Sequence, residues 1–122
     1  MSLQHDILED LKVIEEDLGT PTFTWGGGTY NLIPSITEFN RQLEKGGFQL
    51  VKLMTATVRL YDISEDENFN EVLTSLFPNG IPQPQEIIAY NVDNQNYRVE
   101  SIKRDPTKAY FRLIAHSTTR GL

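Results

Sequence analysis

Apolar and polar residues alternate most regularly in the last third of the chain, and the elements predicted there frame the rest. Glu86-Ile87-Ile88-Ala89-Tyr90-Asn91-Val92 is rich in strand-favouring types, and Asp93-Asn94-Gln95-Asn96 supplies side chains that tolerate left-handed turn conformations. Tyr97, Val99 and Ser101 then alternate with Arg98, Glu100 and Ile102 until Asp105-Pro106-Thr107, where the proline lacks the N–H that a ladder needs. In the next run Phe111 and Leu113 point one way while Tyr110, Arg112 and Ile114 point the other. The pattern predicts a three-stranded antiparallel meander over Glu86–Ala115, at the centre of a sheet, with Val99 buried and Arg98 on the opposite face.

Upstream, Ile7, Leu11, Ile14 and Leu18 fall on one helical stripe while Glu9, Asp10, Glu16 and Asp17 lie elsewhere, which predicts an amphipathic helix over 6–18. Gly19 and Pro21 supply its stop. Such a helix either folds on its own sheet or docks against a neighbouring subunit. Thr22-Phe23-Thr24-Trp25, the turn Gly26-Gly27-Gly28 and Thr29–Ile33 read as a hairpin ending at Pro34. Trp25 is a core residue or an interface anchor. The glycines are followed by no Lys-Ser/Thr pair, so they do not make a phosphate loop. Residues 35–47 are polar, with helical spacing in Ile36, Phe39 and Leu43, and read as a loop with a helical turn or two.

The longest strand is expected from Phe48 to Tyr61. Its even set, Leu50, Met54, Ala56, Val58 and Leu60, is expected to face the core, and Lys52 suggests that the first residues project beyond the sheet. From Asp62 to Gln85 the pattern lapses. A turn capped by Asp66 or Asn68 and carrying Phe69, Val72, Leu73 and Leu76 reads as a short helix within a long loop. Pro78, Pro82 and Pro84 exclude a central strand. Connections of this length are uncommon in a compact domain unless they serve a purpose. The apolar residues Phe69, Leu73, Leu76 and Phe77 are therefore the candidate subunit interface, with coverage of one end of the barrel as the competing reading.

Composition narrows the function classes. With 122 residues the chain is one domain, 1–122, made of the helix and a β unit over about 22–116. The net charge of -6 disfavours a general grip on nucleic acid. Cysteine is absent, so there is neither a disulfide framework nor a thiolate metal site. The start lacks the pattern of a signal peptide, and no apolar run would span a bilayer.

Catalytic patterns are missing: there is no Gly-x-Ser-x-Gly elbow and no His-Glu-x-x-His pair. His5 and His116 lie near opposite ends of the chain and read as surface residues. Asp62, Ser64, Asp66 and Asn68 have the every-other spacing of a calcium loop, but Glu67 occupies the sharp-turn glycine position and Leu73 that of the bidentate glutamate. Neither an enzyme nor a cofactor or metal site is expected.

Taken together, an acidic helix closed by Gly19, the hairpin Phe23–Tyr30, a loop, a long strand, a variable loop and Asn96-Tyr97-Arg98-Val99-Glu100-Ser101-Ile102 followed by an Asp105 turn cover most of the chain. This layout resembles the small head-tail joining (head-completion or neck) proteins of long-tailed bacteriophages and prophages. Pro84-Gln85 stands where such relatives usually carry Gly-Asp, and the tail-terminator and tail-completion proteins share much of the layout. The resemblance implies a small, mainly β antiparallel barrel or sandwich that assembles as a ring at the portal–tail junction. Its partners would be copies of itself and other neck or tail proteins, with no sequence-specific nucleic acid and no membrane. Its places would be the bacterial host cytoplasm during assembly and then the virion. Loops 35–47 and 62–85 would order on assembly, and an acidic bore would let DNA pass without sticking. The alternative from another class is a small ligand-binding or oligonucleotide-binding β-barrel, which calls for aromatics beside a basic groove.

Overall fold

The alternating segments pair into one large antiparallel sheet. The computed structural model describes residues 3–42 and 46–117. After α1 (Leu3–Asp17) come β1 (Thr22–Trp25), β2 (Gly28–Asn31), β3 (Ile33–Gln42), β4 (Phe48–Arg59), β5 (Tyr61–Glu65), β6 (Glu71–Ser75), β7 (Ile87–Tyr90), β8 (Gln95–Arg104) and β9 (Tyr110–Ser117). Seven strands form a sheet in the order β2-β1-β7-β8-β9-β4-β3, and β5-β6 is a separate two-stranded ribbon. The protein is thus mainly β with an N-terminal helix, and the predicted meander occupies the middle of the sheet.

The sheet curls into a half-barrel for a reason visible in its order. Its two edges, β2 and β3, are consecutive in the chain with only Leu32 between them. One continuous segment therefore pairs with β1 before Leu32 and with β4 after it. Leu32 is fully buried, and its N–H donates to the Pro21 carbonyl at 3.1 Å, which pins the corner. Inside the curl lie Phe23, Met54, Val58, Tyr97, Phe111 and Leu113. At the β1–β2 turn Gly26 and Gly27 have φ of 58° and 82°, the positive values that a tight two-residue hairpin turn requires.

Alternation holds along β8 and β9, with Val99, Phe111 and Leu113 buried and Arg98 and Arg112 exposed. A bulge between Val99 and Ser101 shifts the phase, so that Ile102 rather than Ser101 turns toward the core. On β4 the even set Met54, Ala56, Val58 and Leu60 is buried as expected, but Leu50 is exposed. The cause is the projection that Lys52 suggests: β9 pairs only with Leu53–Arg59, so the first residues of β4 pair with β3 alone.

Two predicted elements differ. Residues 35–42 of the expected loop belong to strand β3, which starts at Ile33 and in which Pro34 is tolerated because β3 is an edge and need not donate on its outer side. Leu43, part of the helical spacing, lies outside the described residues. Likewise no short helix occurs between Asp62 and Gln85. That stretch holds strand β5 from Asp62 on, β6 and a Pro-rich segment in which Ile81 and Pro82 are buried. Phe69, Val72, Leu73 and Leu76 fit a helical spacing on paper, but Val72 and Leu73 are successive residues of an extended strand facing opposite ways.

Candidate assembly surface

Helix α1 is fastened to the barrel through polar groups. Arg59, near the end of β4, points away from the core set and is covered by the helix, where it meets Glu15 in a fork. Nε lies 2.6 Å from Oε2 and Nη2 lies 2.9 Å from Oε1, with both side chains almost fully buried. Asn31 donates to Glu15 at 3.2 Å, and Arg59 also reaches Asp62 at 3.2 Å. Burial opposes the charge on Arg59, but the bonds and charges of Glu15 and Asp62 outweigh it and raise its pKa. This network has no signature in the hydrophobic pattern. Its one trace is an arginine inside an otherwise strand-like run.

The fork decides which side of the helix is hidden. Buried on α1 are His5, Leu8 and Glu15, with Lys12 half-buried on the same stripe. The expected apolar stripe is turned roughly a third of a revolution away, since each residue advances about 100°. Ile7 and Leu11 are half-buried at its margin, whereas Leu3, Ile14 and Leu18 are 65%, 42% and 53% exposed. The helix stands where the sequence places it, but its apolar face points outward.

Ribbon β5–β6 lies along the same helix. Glu71 is 3.1 Å from Nδ1 of His5, and Asp62 is 3.8 Å from Lys12. His5 is buried, not superficial, and Glu9 sits 3.4 Å from its Nε2. His116, the other predicted surface histidine, is two-thirds covered and lies 2.7 Å from Glu100. At the ribbon's tip Asp66 accepts the N–H groups of Asn68 and Asn70, both at 2.9 Å, which holds its pKa below the usual carboxylate range. The turn so fixed places Phe69 at φ 60° with 81% of its surface exposed. A bulky side chain in this left-handed region is a strained arrangement.

The four predicted interface residues divide into two pairs. Phe69 at the tip and Leu73, opposite Ile63 on β6, are exposed. Leu76 and Phe77 belong to the protein's own core: Phe77 stacks on Tyr30 with ring centroids 4.4 Å apart and meets Phe111 edge-on at 5.4 Å. Trp25 joins the same cluster, 6.4 Å from Phe77, and is core-packed. Ile14 and Leu18, on the stripe expected either to pack on the sheet or to dock on a neighbour, are exposed and are not among the four predicted interface residues.

Charge distinguishes this flank further. Segments 3–17 and 61–75 hold eleven of the seventeen acidic residues and, of the basic ones, only Lys12. Among the described residues, ligand atoms of His5, Asp6 and Glu9 come within 4.8 Å of one another and could approach a cation, although two of the three are exposed carboxylates on a helix. Of the supposed calcium ligands, Asp62 is engaged by Arg59 and the Ile63 N–H, and Asp66 by its own turn. No helix among the described residues is long and apolar enough to cross a membrane. Comparison with family models, with curated proteins and with solved structures finds no match for this chain.

Proposed function

We propose that this protein is a structural joining subunit, one that assembles in a ring at the portal–tail junction of a long-tailed phage or prophage. The observation that carries an assembly role is the uncovered apolar stripe of α1. A helix in water stabilises itself chiefly by burying its apolar face, yet Leu3, Ile14 and Leu18 are left outside while His5 and Glu15 are packed inside beside Leu8. Phe69, Val72 and Leu73 on the neighbouring ribbon are also exposed. A two-stranded ribbon is marginal by itself in water, and this one gains from a neighbour that covers it.

The layout of helix, hairpin and central meander supports the phage setting through its resemblance to neck proteins, with the tail-terminator role as the nearest alternative. The ligand-binding barrel has less behind it, because Phe23, Met54, Tyr97 and Phe111 fill the interior of the curl.

The test is complementation of a phage lacking the protein, using Ile14→Ser/Leu18→Ser and Phe69→Ser variants that remain folded by circular dichroism. DNA-filled heads without tails are expected. Normal tail attachment by both variants overturns the assembly role of this flank.

A further inference from the structure

Arg41 apart, the positive charges of the described residues fall into two groups. Lys12, Lys52 and Arg59 each sit within 4 Å of a carboxylate. Arg98, Lys103, Arg104, Lys108 and Arg112 all lie on the β8–β9 hairpin, all are exposed, and among the described residues none has such a partner. In a chain of net charge -6 this is a concentration of positive charge on one hairpin, with Lys103 and Arg112 on its outer face and Arg104, the partner of Phe111, on the other. Lys103 and Arg112 are directly opposite each other across the hairpin. They rim a shallow depression of about 170 Å³ with Arg104, Asp105 and Tyr110, and the Arg112 guanidinium lies 5.8 Å from the centre of the Tyr110 ring.

We infer that this basic face is the complement of the acidic flank formed by α1 and β5–β6, and that it receives that flank from a second copy of the chain. The argument is charge complementarity within one sequence. One surface gathers ten carboxylates, Glu15 being buried, together with exposed apolar residues, and the other gathers five exposed cations, with Asp105 among them, beside a half-buried tyrosine. Complementary potentials of this kind steer encounter and fix register, while like faces repel. The acidic balance of the whole chain disfavours a polyanion as the occupant instead. The contact deepens the assembly role proposed above by naming the partner's surface, and it can be tested without any phage.

The experiment uses two full-length variants, Lys103→Glu/Arg112→Glu and Asp10→Lys/Glu16→Lys. All four positions are exposed, so both variants are expected to fold, which circular dichroism checks. By sedimentation at low ionic strength the wild-type chain is expected to self-associate, and to dissociate as salt screens the contact. Each variant alone should remain monomeric. An equimolar mixture should associate again, because the reversed faces complement each other, and the size of the complex separates a closed ring from a dimer.

A wild-type chain that stays monomeric at its highest soluble concentration and low salt overturns the inference. So does an association that both variants retain, or a mixture that stays monomeric. Monomeric wild-type protein that binds duplex DNA, with binding lost in Lys103→Glu/Arg112→Glu, assigns the basic face to a polyanion and overturns it too. Charge-dependent self-association together with normal tail attachment by the stripe variants would leave this contact standing and remove the joining role.

Discussion

Arg59 and Glu15 are joined by a two-point ion pair that links the end of strand β4 to the last turns of α1, with side-chain exposures of 5% and 2%. Removing either partner leaves the other charge buried with a weaker partner, Asp62 for Arg59 and Asn31 for Glu15. Arg59→Met or Glu15→Leu alone is expected to cost roughly 3–5 kcal/mol, whereas the double substitution recovers much of that loss. A urea-denaturation double-mutant cycle measures it. Additive losses would show that the pair does not act as a unit.

Phe77 and Phe69 lie on one segment and predict opposite outcomes. Phe77→Ser removes a ring stacked on Tyr30 and edge-on to Phe111, at an expected cost of roughly 2–4 kcal/mol. Phe69→Ser changes an exposed tip and should cost less than about 1 kcal/mol. Phe69→Gly should go further and stabilise the isolated fold by about 1 kcal/mol, since glycine occupies a φ of 60° without strain. Thermal melts of the three variants decide. A Phe69→Gly protein that melts below wild type contradicts the strain argument.

Acid sensitivity follows from three aspartates. Burial pushes Asp62 up, but hydrogen bonds from Arg59 and the Ile63 N–H, with the charge of Lys12, outweigh it and lower its pKa. Asp66 is lowered by the Asn70 and Asn68 N–H groups, and Asp105 by the side chain and N–H of Thr107. A carboxylate whose folded pKa lies below its unfolded value of about 3.9 adds stability that is fully present above that value. That stability is lost as the pH falls through the folded pKa. Urea midpoints should therefore be steady near neutral pH and drop below about pH 4. Asp62→Asn should flatten part of that drop, and an identical acid limb in the variant counts against the assignment.

Protection from hydrogen exchange should be greatest in β8. It has three strands on either side in the sheet, and Tyr97 and Val99 are fully buried. Gly26 and Gly27, in an exposed turn, should exchange fast. Equal rates at Val99 and Gly27 would show that β8 is not the stable centre.

The sequence makes the meander legible because period-two alternation and Asp/Asn/Pro turns agree there. Elsewhere the two signals part. Ile36 and Phe39 sit three apart like helical neighbours, but edge strand β3 exposes both faces, so no alternation develops to mark it. On α1 the helix itself is legible, while its orientation is not, because the buried face is chosen by Glu15 reaching a distant arginine rather than by the apolar stripe. For the same reason Phe69 and Leu73 can be read as exposed apolar candidates, whereas Phe77 can be assigned to the core only once β2 brings Tyr30 against it.

The corner at Leu32 also sets how the chain can fold. Hairpins β1–β2 and β3–β4 are local, but their docking onto the meander is not: Phe23 pairs with Tyr90, and Leu53 with His116. Closing such distant contacts costs chain entropy that rises with loop length. Because one residue tethers the two hairpins, whichever docks first delivers the other to the opposite edge, and the second closure spans a far shorter effective loop. A flexible insertion at Leu32 would leave every strand pairing possible yet slow folding, by turning one coupled closure into two independent searches.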